Sequence, residues 1–569
     1  MKYFWSCYGY CFISLLLLFS LATLGCGDDN LEDFVHCVYL HSNNNNDSNS
    51  TLIHIPSSSS YSHVLNFSIR NRRFSEAETP KPVAIITPSH AFQVQATVIC
   101  CKSHGLQIRT RSGGHDFEGR SYVANVPFVL VDLINFNSIT IDTEDKSAWV
   151  QSGATVGELY YRIGEKSRTL GFPAGFESTI GVGGFLSGGG LGMMVRKYGL
   201  GADNVVDAYV VDANGRVVNR YSMGEDLFWA IRGGGGGNFG IVLAWKLKLV
   251  PVPPIVTSFA LHKTWDQNAA NLIHGWQYIA PELDQDLFIS AWVTASNSSN
   301  GSGRTIEASF FSLFLGNASE LLALMEKIFP ELGLKKEDCL EMSWVEAMAF
   351  SASGFVSAQS LELLLDRIPP KIGRNKIKSD YATQPISKIA LEGMWERFKI
   401  EELETVQLIL IPFGGKMNEI SEAESPSPHR AGYPIHITYY VTWQQPDADS
   451  RHLEWTRELH DYMTPFVSKS PRAAYINHRD FDIGTNNEDG IPTSYEEASV
   501  WGQPYFGNNF ERLMEVKRKV DPFNFFRHEQ SIPPAPPREA KMVSCSDVSY
   551  ETMSCAIDKN TSYQVGIIM

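Results

Sequence analysis

A histidine follows a short glycine loop in the segment RTRSGGHDFEG, residues 109–119. The apolar alternation at 106–111 predicts a strand that runs into the Ser-Gly-Gly loop at 112–114. Since glycine carries no side chain, backbone N–H groups in such a loop can face a bound anion such as a diphosphate. The spacing therefore predicts an anion-binding loop with His115 at its edge.

A second glycine-rich segment lies at 171–192 and has the sequence GFPAGFESTIGVGGFLSGGGLG. Its many glycines predict a backbone that lies close to a flat ligand. Glycine clusters also occur in flexible loops, and a single histidine beside glycine is usually exposed to solvent. Because both segments lie in one predicted region and are flanked by strands, together they predict a nucleotide site.

The glycines at 235–240 offer a rival interpretation, since GGGNFG matches the dinucleotide fingerprint G-x-G-x-x-G. That fingerprint requires a helix directly after it and an acidic residue about 20 positions further on. Here the strand-like alternation IVLAWKLKLV follows at 241–250, and the acidic residue is missing. The match is therefore accidental, and a Rossmann fold is excluded.

The elements around these segments predict an α+β fold. From 80 to 254 the sequence is rich in glycine and β-branched residues, which predicts short strands separated by turns and short helices. The prolines of PVPPIVT at 251–257 indicate a boundary. Beyond it, longer helical patterns alternate with strand patterns, which predicts an antiparallel sheet covered on one face by helices.

The length of 569 residues exceeds what one hydrophobic core usually serves, so two substantial domains are predicted. The expected divisions are a signal peptide at 1–26, a nucleotide-binding domain at 27–252, a second domain at 253–470, a C-terminal segment at 471–534 and a polar tail at 535–569.

Charge and hydropathy limit the partners and the compartment. The net charge of −15 argues against a nucleic-acid backbone or an anionic membrane surface as the main partner. The apolar stretch at 11–24 follows Lys2 and is shorter than the roughly 20 residues of a spanning helix, so it predicts a signal peptide. Cleavage near 25–27 would leave a protein of the secretory pathway, secreted or vacuolar, with no membrane attachment.

Sequons and cysteines agree with that compartment. In an oxidising environment, Cys37 and either Cys100 or Cys101 are the natural disulfide candidates, and the sequence leaves the pairing open. There is no C-x-x-C pair and no His/Cys cluster at zinc spacing, so no metal site is expected. The Asn-x-Ser/Thr sequons are at Asn46, Asn49, Asn66, Asn297, Asn300, Asn317 and Asn560.

The order of the motifs resembles the berberine bridge enzyme-like family of plant FAD-linked oxidases, within the vanillyl-alcohol-oxidase superfamily. The matching motifs, over about residues 35–534, are RSGGHDFEG, FPAG with TIGVGG, SGGGLG, RKYGLGADNVVDA, GEDLFWAIRGGGG and DPFNFFRHEQSIP. The resemblance implies an FAD-binding α+β domain, a substrate domain with a helix-covered antiparallel sheet, and a 471–534 segment that returns to the FAD domain. It also implies a Cys37–Cys100 disulfide and a small-molecule substrate, and a monomer is expected.

The resemblance assigns the covalent attachment of FAD to His115, which in this family bonds to the flavin 8α-methyl group. The family's second link, a Cys two residues after FPAG, is replaced by Glu177, so a single link is predicted. Ile180 stands where family members carry Val or Leu beside the approach of oxygen to the flavin. The other predicted cofactor contacts are Arg111, Ser112, Gly113, Gly114, Asp116, Glu177, Thr179, Gly181, Gly184, Ser187, Gly188 and Asn477.

The predicted catalytic residues also depart from the family pattern. The family's K-x-Q aligns with His436 and Thr438, and its Y-x-N-Y-R-D aligns with Tyr475, Asn477 and His478. His478 replaces the second Tyr of that motif, which can act as the oxidative base. An imidazole can still take this role because it titrates near neutrality. Losing the Gln, Cys and Tyr together is harder to reconcile with the usual mechanism.

Three functions are compatible with this pattern. The favoured one is a carbon–carbon bond-forming cyclase, since the pocket resembles the mulberry-family branch that joins a phenolic diene to a chalcone- or stilbene-type dienophile by an intermolecular Diels–Alder reaction. Such a cycloaddition gains mainly from holding two reactants in one orientation. The alternative is an FAD-dependent oxidase of a plant phenolic or alkaloid, with His478 or Tyr475 as base and O₂ reduced to H₂O₂. The third is a non-catalytic flavin carrier.

Overall fold

The computed structural model describes residues 30–42, 52–297, 304–356, 360–368, 373–400, 404–488 and 490–536. Within these ranges, no helix combines the length and the hydropathy that a membrane span needs. Among the sequons, Asn66 is exposed, and Asn317 is half-buried and caps a helix by accepting from the Glu320 N–H. The predicted signal peptide, Asn46, Asn49, Asn300, Asn560, the side chain of Asn297 and the tail beyond 536 lie outside what the structure describes.

Short strands lie on either side of the glycine segments in the first part of the chain. They are β1 (Ile53–His54), β2 (Ala84–Ile86), β3 (Gln107–Arg111), β4 (Phe128–Asp132), β5 (Ile139–Asp142), β6 (Ser147–Gln151), β7 (Leu170–Gly171), β8 (Val205–Val211), β9 (Val217–Val218), β10 (Ile241–Lys248) and β11 (Val250–Pro251).

These strands form a mixed sheet, an antiparallel sheet and a short pair. The mixed sheet has the order β1-β2-β4-β3, and β4 runs parallel to both β2 and β3. Every residue of β4 (FVLVD) is buried, as expected for a strand that is covered on both faces. The antiparallel sheet has the order β5-β6-β10-β8-β9, and β7 pairs with β11.

Helices connect and cover the sheets. α4 illustrates the local rules: the Thr155 hydroxyl accepts from the Glu158 N–H at 3.2 Å, and the Glu158 carboxylate accepts from the Thr155 N–H at 2.8 Å, so the first turn is capped from both sides. The helices are α1 (30–42), α2 (Tyr61–Phe67), α3 (Ala91–Ser103), α4 (Val156–Lys166), α5 (Val182–Ser187), α6 (Val195–Tyr198), α7 (Arg220–Ile231), α8 (Ala269–Ile279), α9 (Ala318–Ile328), α10 (Trp344–Ala352), α11 (Lys388–Phe398), α12 (Lys416–Glu419), α13 (Asp449–Met463), α14 (Tyr495–Phe506) and α15 (Asn509–Val520).

A large antiparallel sheet follows the boundary predicted at 251–257. Its strands are β12 (Val256–Ser258), β13 (Ala260–Thr264), β14 (Leu287–Asn297), β15 (Arg304–Phe314), β16 (Leu340–Met342), β17 (Arg374–Ala382), β18 (Thr405–Pro412) and β19 (Ile435–Trp443). The order is β16-β12-β15-β14-β18-β19-β17, and β13 pairs with β15 beside this path. Helices α8, α11 and α13 share one hydrophobic core with the sheet, which confirms the predicted helix-covered sheet and the α+β class.

Alternation along β19 divides the large sheet into two faces. The odd-numbered residues from Ile435 to Trp443 are buried in the core that the helices share. The even-numbered residues Thr438 and Tyr440 point to the opposite face, because successive side chains of a strand alternate. That second face lines the candidate site.

The C-terminal segment packs against the first sheets. Phe525 and Phe526 belong to the same core as Val129 and Val131 of β4. The Lys517 ammonium of α15 is buried and donates to the Asn238 carbonyl at 2.6 Å. These contacts agree with the expected return of the segment 471–534 to the first domain. The domain boundaries remain predictions.

A disulfide joins two helices that pack on one face of the mixed sheet. Cys37 in α1 is bonded to Cys100 in α3, which confirms the pairing implied by the family resemblance. The alternative partner, Cys101, is a free, buried cysteine. Two adjacent cysteines on one helix point in different directions, so only one of them can face α1.

Candidate active site

A cavity of about 510 Å³ lies where the predicted segments meet. The glycine segments and residues 235–242 form one side of it, and β17, β18 and β19 form another. Residues 475–479 of the C-terminal segment also line it. Parts of the chain that are separated by about 400 residues therefore build one site.

The first glycine loop leaves β3 and faces the cavity. A Cβ atom on Gly113 would overlap the backbone of Gly181, and one on Gly114 would overlap the carbonyl of Ser68. Glycine is therefore required at both positions because two stretches of backbone touch there. The N–H groups of Gly113, Gly114 and His115 donate to no described residue, so they are available to an anion in the cavity.

In the second segment, only some glycines open toward the cavity. A Cβ on Gly184 would meet nothing within 4 Å, and Gly184 lines the cavity. Gly188 does not line it; a Cβ there would overlap the side chain of Asn477. Ser187 lines the cavity and donates to the Gly183 carbonyl at 2.7 Å. This segment therefore offers a smooth surface at Gly184 and close packing elsewhere.

The glycines at 235–237 belong to the site although they are not a Rossmann fingerprint. The strand β10 follows them, which confirms the rejection of that fold. The N–H of Gly235 donates to the Ser187 carbonyl at 2.8 Å, so this loop is fixed to the second glycine segment. All three glycines line the cavity, a role that the sequence interpretation missed.

His115 lies at the cavity wall and is held by a chain of hydrogen bonds. Its Nε2 lies 2.9 Å from the Thr179 hydroxyl, and that hydroxyl donates to the Glu177 carboxylate at 3.1 Å. Burial, with a smaller contribution from the positive charge of Arg70, lowers the pKa of His115 to about 3. The imidazole is therefore neutral at physiological pH. Glu177 and Asp116 also line the cavity, whereas Thr179 does not.

His478 and Thr438 form the polar part of the opposite wall. The Thr438 hydroxyl lies 3.4 Å from His478 Nδ1, and both residues line the cavity. The ring of Phe117 meets the His478 imidazole edge-on at 5.9 Å. Burial lowers the pKa of His478 to about 3, so this imidazole is also neutral near pH 7.

Tyr475 is anchored rather than free. The Gly190 N–H donates to its phenol oxygen at 2.9 Å, and the Asn477 amide donates to it at 3.2 Å. Burial raises the pKa of Tyr475 to about 12. The Asn477 amide also donates to the Phe185 carbonyl at 3.0 Å. Both predicted residues line the cavity, where they hold the second glycine segment in place.

Besides Thr179 and Gly188, two more predicted site residues, His436 and Arg111, do not line the cavity. His436 is fully buried beneath Tyr381 and Tyr475, and neither of its ring nitrogens has a hydrogen-bond partner among the described residues. Arg111 is also fully buried and forms an ion pair with Asp132 at 2.6 Å. The first was predicted to be catalytic and the second to contact FAD; the structure places neither side chain on the cavity wall, because other segments cover both.

Several lining residues carry no local sequence signal. Arg70 and Asn71 follow α2, and the fold brings them to the glycine loops. Gln407 and Ile409 lie on the same face of the large sheet as Thr438, so extending the strand alternation to β18 could have found them. The aromatic lining residues are Phe117, Phe176, Phe185, Trp292, Tyr440 and Tyr475. Ile180 also lines the cavity.

The buried histidines predict an acid-sensitive fold. The pKa values of His429 and His478 are lowered to about 3 by burial, against about 6.5 in an unfolded chain. Below pH 6.5 the unfolded chain takes up protons that the folded chain cannot bind until pH approaches 3, so stability falls as the pH falls through this window. We expect each residue to cost up to about 2 kcal/mol at pH 5, seen as a lower Tm at pH 5 than at pH 7.

A single substitution tests this explanation. His429 stacks on Tyr381 with ring centroids 4.3 Å apart, so His429→Phe keeps an aromatic ring and removes the titrating group. The Tm difference between pH 7 and pH 5 should shrink in this variant. An undiminished difference would show that His429 does not contribute to the acid sensitivity.

Comparisons with known proteins agree with this geometry. Residues 82–220 match the family model described as FAD binding domain, and residues 474–533 match the one described as berberine and berberine like. A tetrahydroberberine oxidase from Berberis wilsoniae is 49% identical over 92% of this chain and 98% of its own length. Cannabidiolic acid synthase-like 1 from Cannabis sativa is 45% identical over 89% of this chain and 94% of its own length.

Two solved structures are also similar. The structure of berberine bridge enzyme-like 28 from Arabidopsis thaliana has a TM-score of 0.82 and 46% identity, and it covers 89% of this chain and 100% of that one. Berberine bridge enzyme from Eschscholzia californica has a TM-score of 0.82 and 40% identity over 88% of this chain and 99% of that one.

Proposed function

Because the chain belongs to the berberine bridge enzyme-like family of FAD-linked proteins, we propose that it is an FAD-dependent oxidase of a flat aromatic small molecule, a plant phenolic or an alkaloid. Bound FAD would accept a hydride from the substrate and pass two electrons to O₂, which becomes H₂O₂. The protein's own part is to bind both molecules, to orient them and to accept a proton.

The residues present fit this cofactor. The unpartnered N–H groups of Gly113, Gly114 and His115 can hold the diphosphate, and the bare surface at Gly184 admits a flat ring system. We propose that His115 carries the covalent bond to FAD. Since Glu177 occupies the position of the family's Cys, this bond is the single link.

The observation that carries the oxidase assignment is the neutral His478 imidazole on the cavity wall. An oxidation by hydride removal needs a proton acceptor near the donor carbon, and His478 lines the cavity as a neutral imidazole with a lone pair. The expected titration near neutrality is not found: burial lowers the pKa to about 3, which makes this ring a weaker base than an exposed histidine. The Thr438 hydroxyl at 3.4 Å can orient the ring. Tyr475 is a poorer base, because its pKa of about 12 keeps the phenol protonated.

The lining suggests the substrate class. Phe117, Phe176, Trp292 and Tyr440 offer aromatic faces and edges, which favour stacking with flat aromatic rings. Two relatives are named tetrahydroberberine oxidases, from Berberis wilsoniae and Argemone mexicana. Tetrahydroberberine is therefore the first substrate to be tested, followed by phenolics.

One anaerobic experiment separates this function from the others. The purified protein is mixed with single phenolics, tetrahydroberberine-type amines and diene–dienophile pairs, and the absorbance of the oxidised flavin is followed. Bleaching by one substrate, with H₂O₂ formed after air is admitted, supports the oxidase. Product formed from a pair without bleaching would instead support the cycloaddition that the sequence favoured, and no turnover at all would leave the flavin carrier.

We further propose that the protein is a secreted or vacuolar monomer. The Cys37–Cys100 disulfide supports an oxidising compartment, and the exposed Asn66 is accessible for glycosylation. Fractionation of the native tissue and the mass of the purified protein in solution test both statements.

A further inference from the structure

We propose that Glu177 is a positioning residue for cofactor attachment: acting through Thr179, it fixes the tautomer of His115 so that Nδ1 is the nitrogen that bonds to FAD. This inference rests on the proposed covalent link at His115 but not on the identity of the substrate. It gives a role to the residue that replaces the family's second attachment point.

The direction of each hydrogen bond follows from the acceptors. A carboxylate only accepts, so the Thr179 hydroxyl must use its one hydrogen toward Glu177, at 3.1 Å. The backbone N–H of Thr179 donates to the same carboxylate oxygen at 3.3 Å and holds it in place. The Thr179 oxygen, 2.9 Å from His115 Nε2, then has lone pairs to offer, so Nε2 carries the hydrogen.

The opposite nitrogen is thereby left with its lone pair. A neutral imidazole has one N–H and one basic nitrogen, so a hydrogen on Nε2 makes Nδ1 the nucleophile. No described residue hydrogen-bonds to Nδ1, and His115 lines the cavity. Burial keeps the ring neutral, which is the form that can react.

The bonds and electrons balance with dioxygen as the oxidant. One bond forms between Nδ1 and the 8α-methyl carbon, and one C–H bond of that methyl group breaks. The two electrons released reduce the flavin and then pass to O₂, which takes up the methyl proton and the Nε2 proton to become H₂O₂. Until the Nε2 proton leaves, the substituted ring is a cation, and the Glu177 carboxylate one hydroxyl away stabilises that charge.

Charged and titratable groups around the ring come from three segments. Arg70 lies beyond α2 and opposes a positive imidazole. Glu177 lies on the second glycine segment, on the Thr179 side. Asp116 follows His115 in the chain, but its carboxylate is engaged by Arg120 at 3.3 Å. Glu177 is therefore the anion that is connected to His115 by hydrogen bonds.

The test compares the rate of covalent attachment with the affinity for free FAD. Apoprotein from flavin-depleted cells is mixed with FAD in air, samples are precipitated with acid, and the flavin in the pellet is measured over time. We expect Thr179→Val and Glu177→Gln to slow attachment at least about tenfold, as losses of outer hydrogen-bond partners do, while the Kd for FAD changes by less than about threefold. Thr179→Ser keeps the hydroxyl and should attach FAD at close to the wild-type rate.

The controls and the possible outcomes distinguish the covalent link at His115 from the positioning role of Glu177. Thr169→Val and Glu165→Gln make the same changes at exposed positions and should behave as wild type. If wild type releases its flavin, the covalent link is wrong. If wild type retains it but both site variants attach at the wild-type rate, or if Thr179→Ser is as slow as Thr179→Val, the role of Glu177 is overturned. Where a variant yields no apoprotein, the covalent fraction in the intact mass of the purified protein gives the same comparison.

Discussion

We expect the His115→Ala variant to lose its flavin completely on acid precipitation, whereas the wild-type pellet stays yellow. Alanine offers no nitrogen for the bond to FAD, and Glu177 offers no sulfur in its place. The N–H groups of Gly113 and Gly114 remain, so the variant should still bind FAD reversibly. The flavin in the pellet and in the supernatant, measured by absorbance, gives the covalent fraction directly.

The control for this variant is His63→Ala, which removes an exposed histidine from α2. Its pellet should hold as much flavin as that of the wild type. Flavin retained in the His115→Ala pellet would mean that another residue carries the bond. A covalent bond also tends to raise the flavin potential, so the variant that binds FAD reversibly should oxidise substrate more slowly.

We expect the second large effect from His478. Replacing it by Gln keeps a polar side chain of similar reach but removes the proton acceptor, so flavin reduction by substrate should slow by about 10²- to 10⁴-fold. The anaerobic bleaching rate after rapid mixing measures this step alone. The covalent flavin content of the variant, at its wild-type value, would show that the fold and the cofactor site are intact.

Tyr475→Phe distinguishes the two candidate bases. This variant removes an acceptor from Gly190 and Asn477, so it should loosen the glycine segment and weaken cofactor binding more than it slows hydride removal. The assignment of His478 would be wrong if Tyr475→Phe abolished bleaching while His478→Gln preserved it.

The pH profile provides a further check on His478. A base acts in its deprotonated form, which predominates above its pKa of about 3. The bleaching rate should therefore stay level, as far as His478 is concerned, from pH 8 down to about pH 5. A rate that fell with a midpoint near 6.5 would indicate an imidazole in contact with water, contrary to the buried position of His478.

Much of the fold could be predicted from local patterns. The pattern IHITYYVTW predicts a strand, and β19 spans these nine residues. The strand-like pattern after Gly240 correctly excluded a Rossmann fold, because β10 lies there. The Cys37–Cys100 bond followed from the family resemblance, since the spacing of the cysteines left Cys101 equally possible.

The positions of His436 and Arg111 away from the cavity wall have a common physical cause. The pattern of β19 puts His436 on the same face as Thr438, but Tyr381 and Tyr475 cover it, and only the tertiary fold shows this. Arg111 faces Asp132 because β3 and β4 pair in parallel with these two residues in register. The sequence of one strand does not show which residue of the neighbouring strand lies beside it. The Arg111–Asp132 ion pair and the rings that cover His436 could therefore not be predicted.

The two faces of β18 and β19 have a consequence for how such a protein diversifies. Leu408, Leu410 and Ile437 belong to the core under the helices, whereas Ile409 and Thr438 line the cavity. A single-residue change on the cavity face can alter which molecule is accepted while the packing that holds the sheet stays the same. Alternate residues of the same strands therefore determine substrate specificity and the stability of the sheet. Substitutions on the cavity face can change specificity without altering the residues of the core.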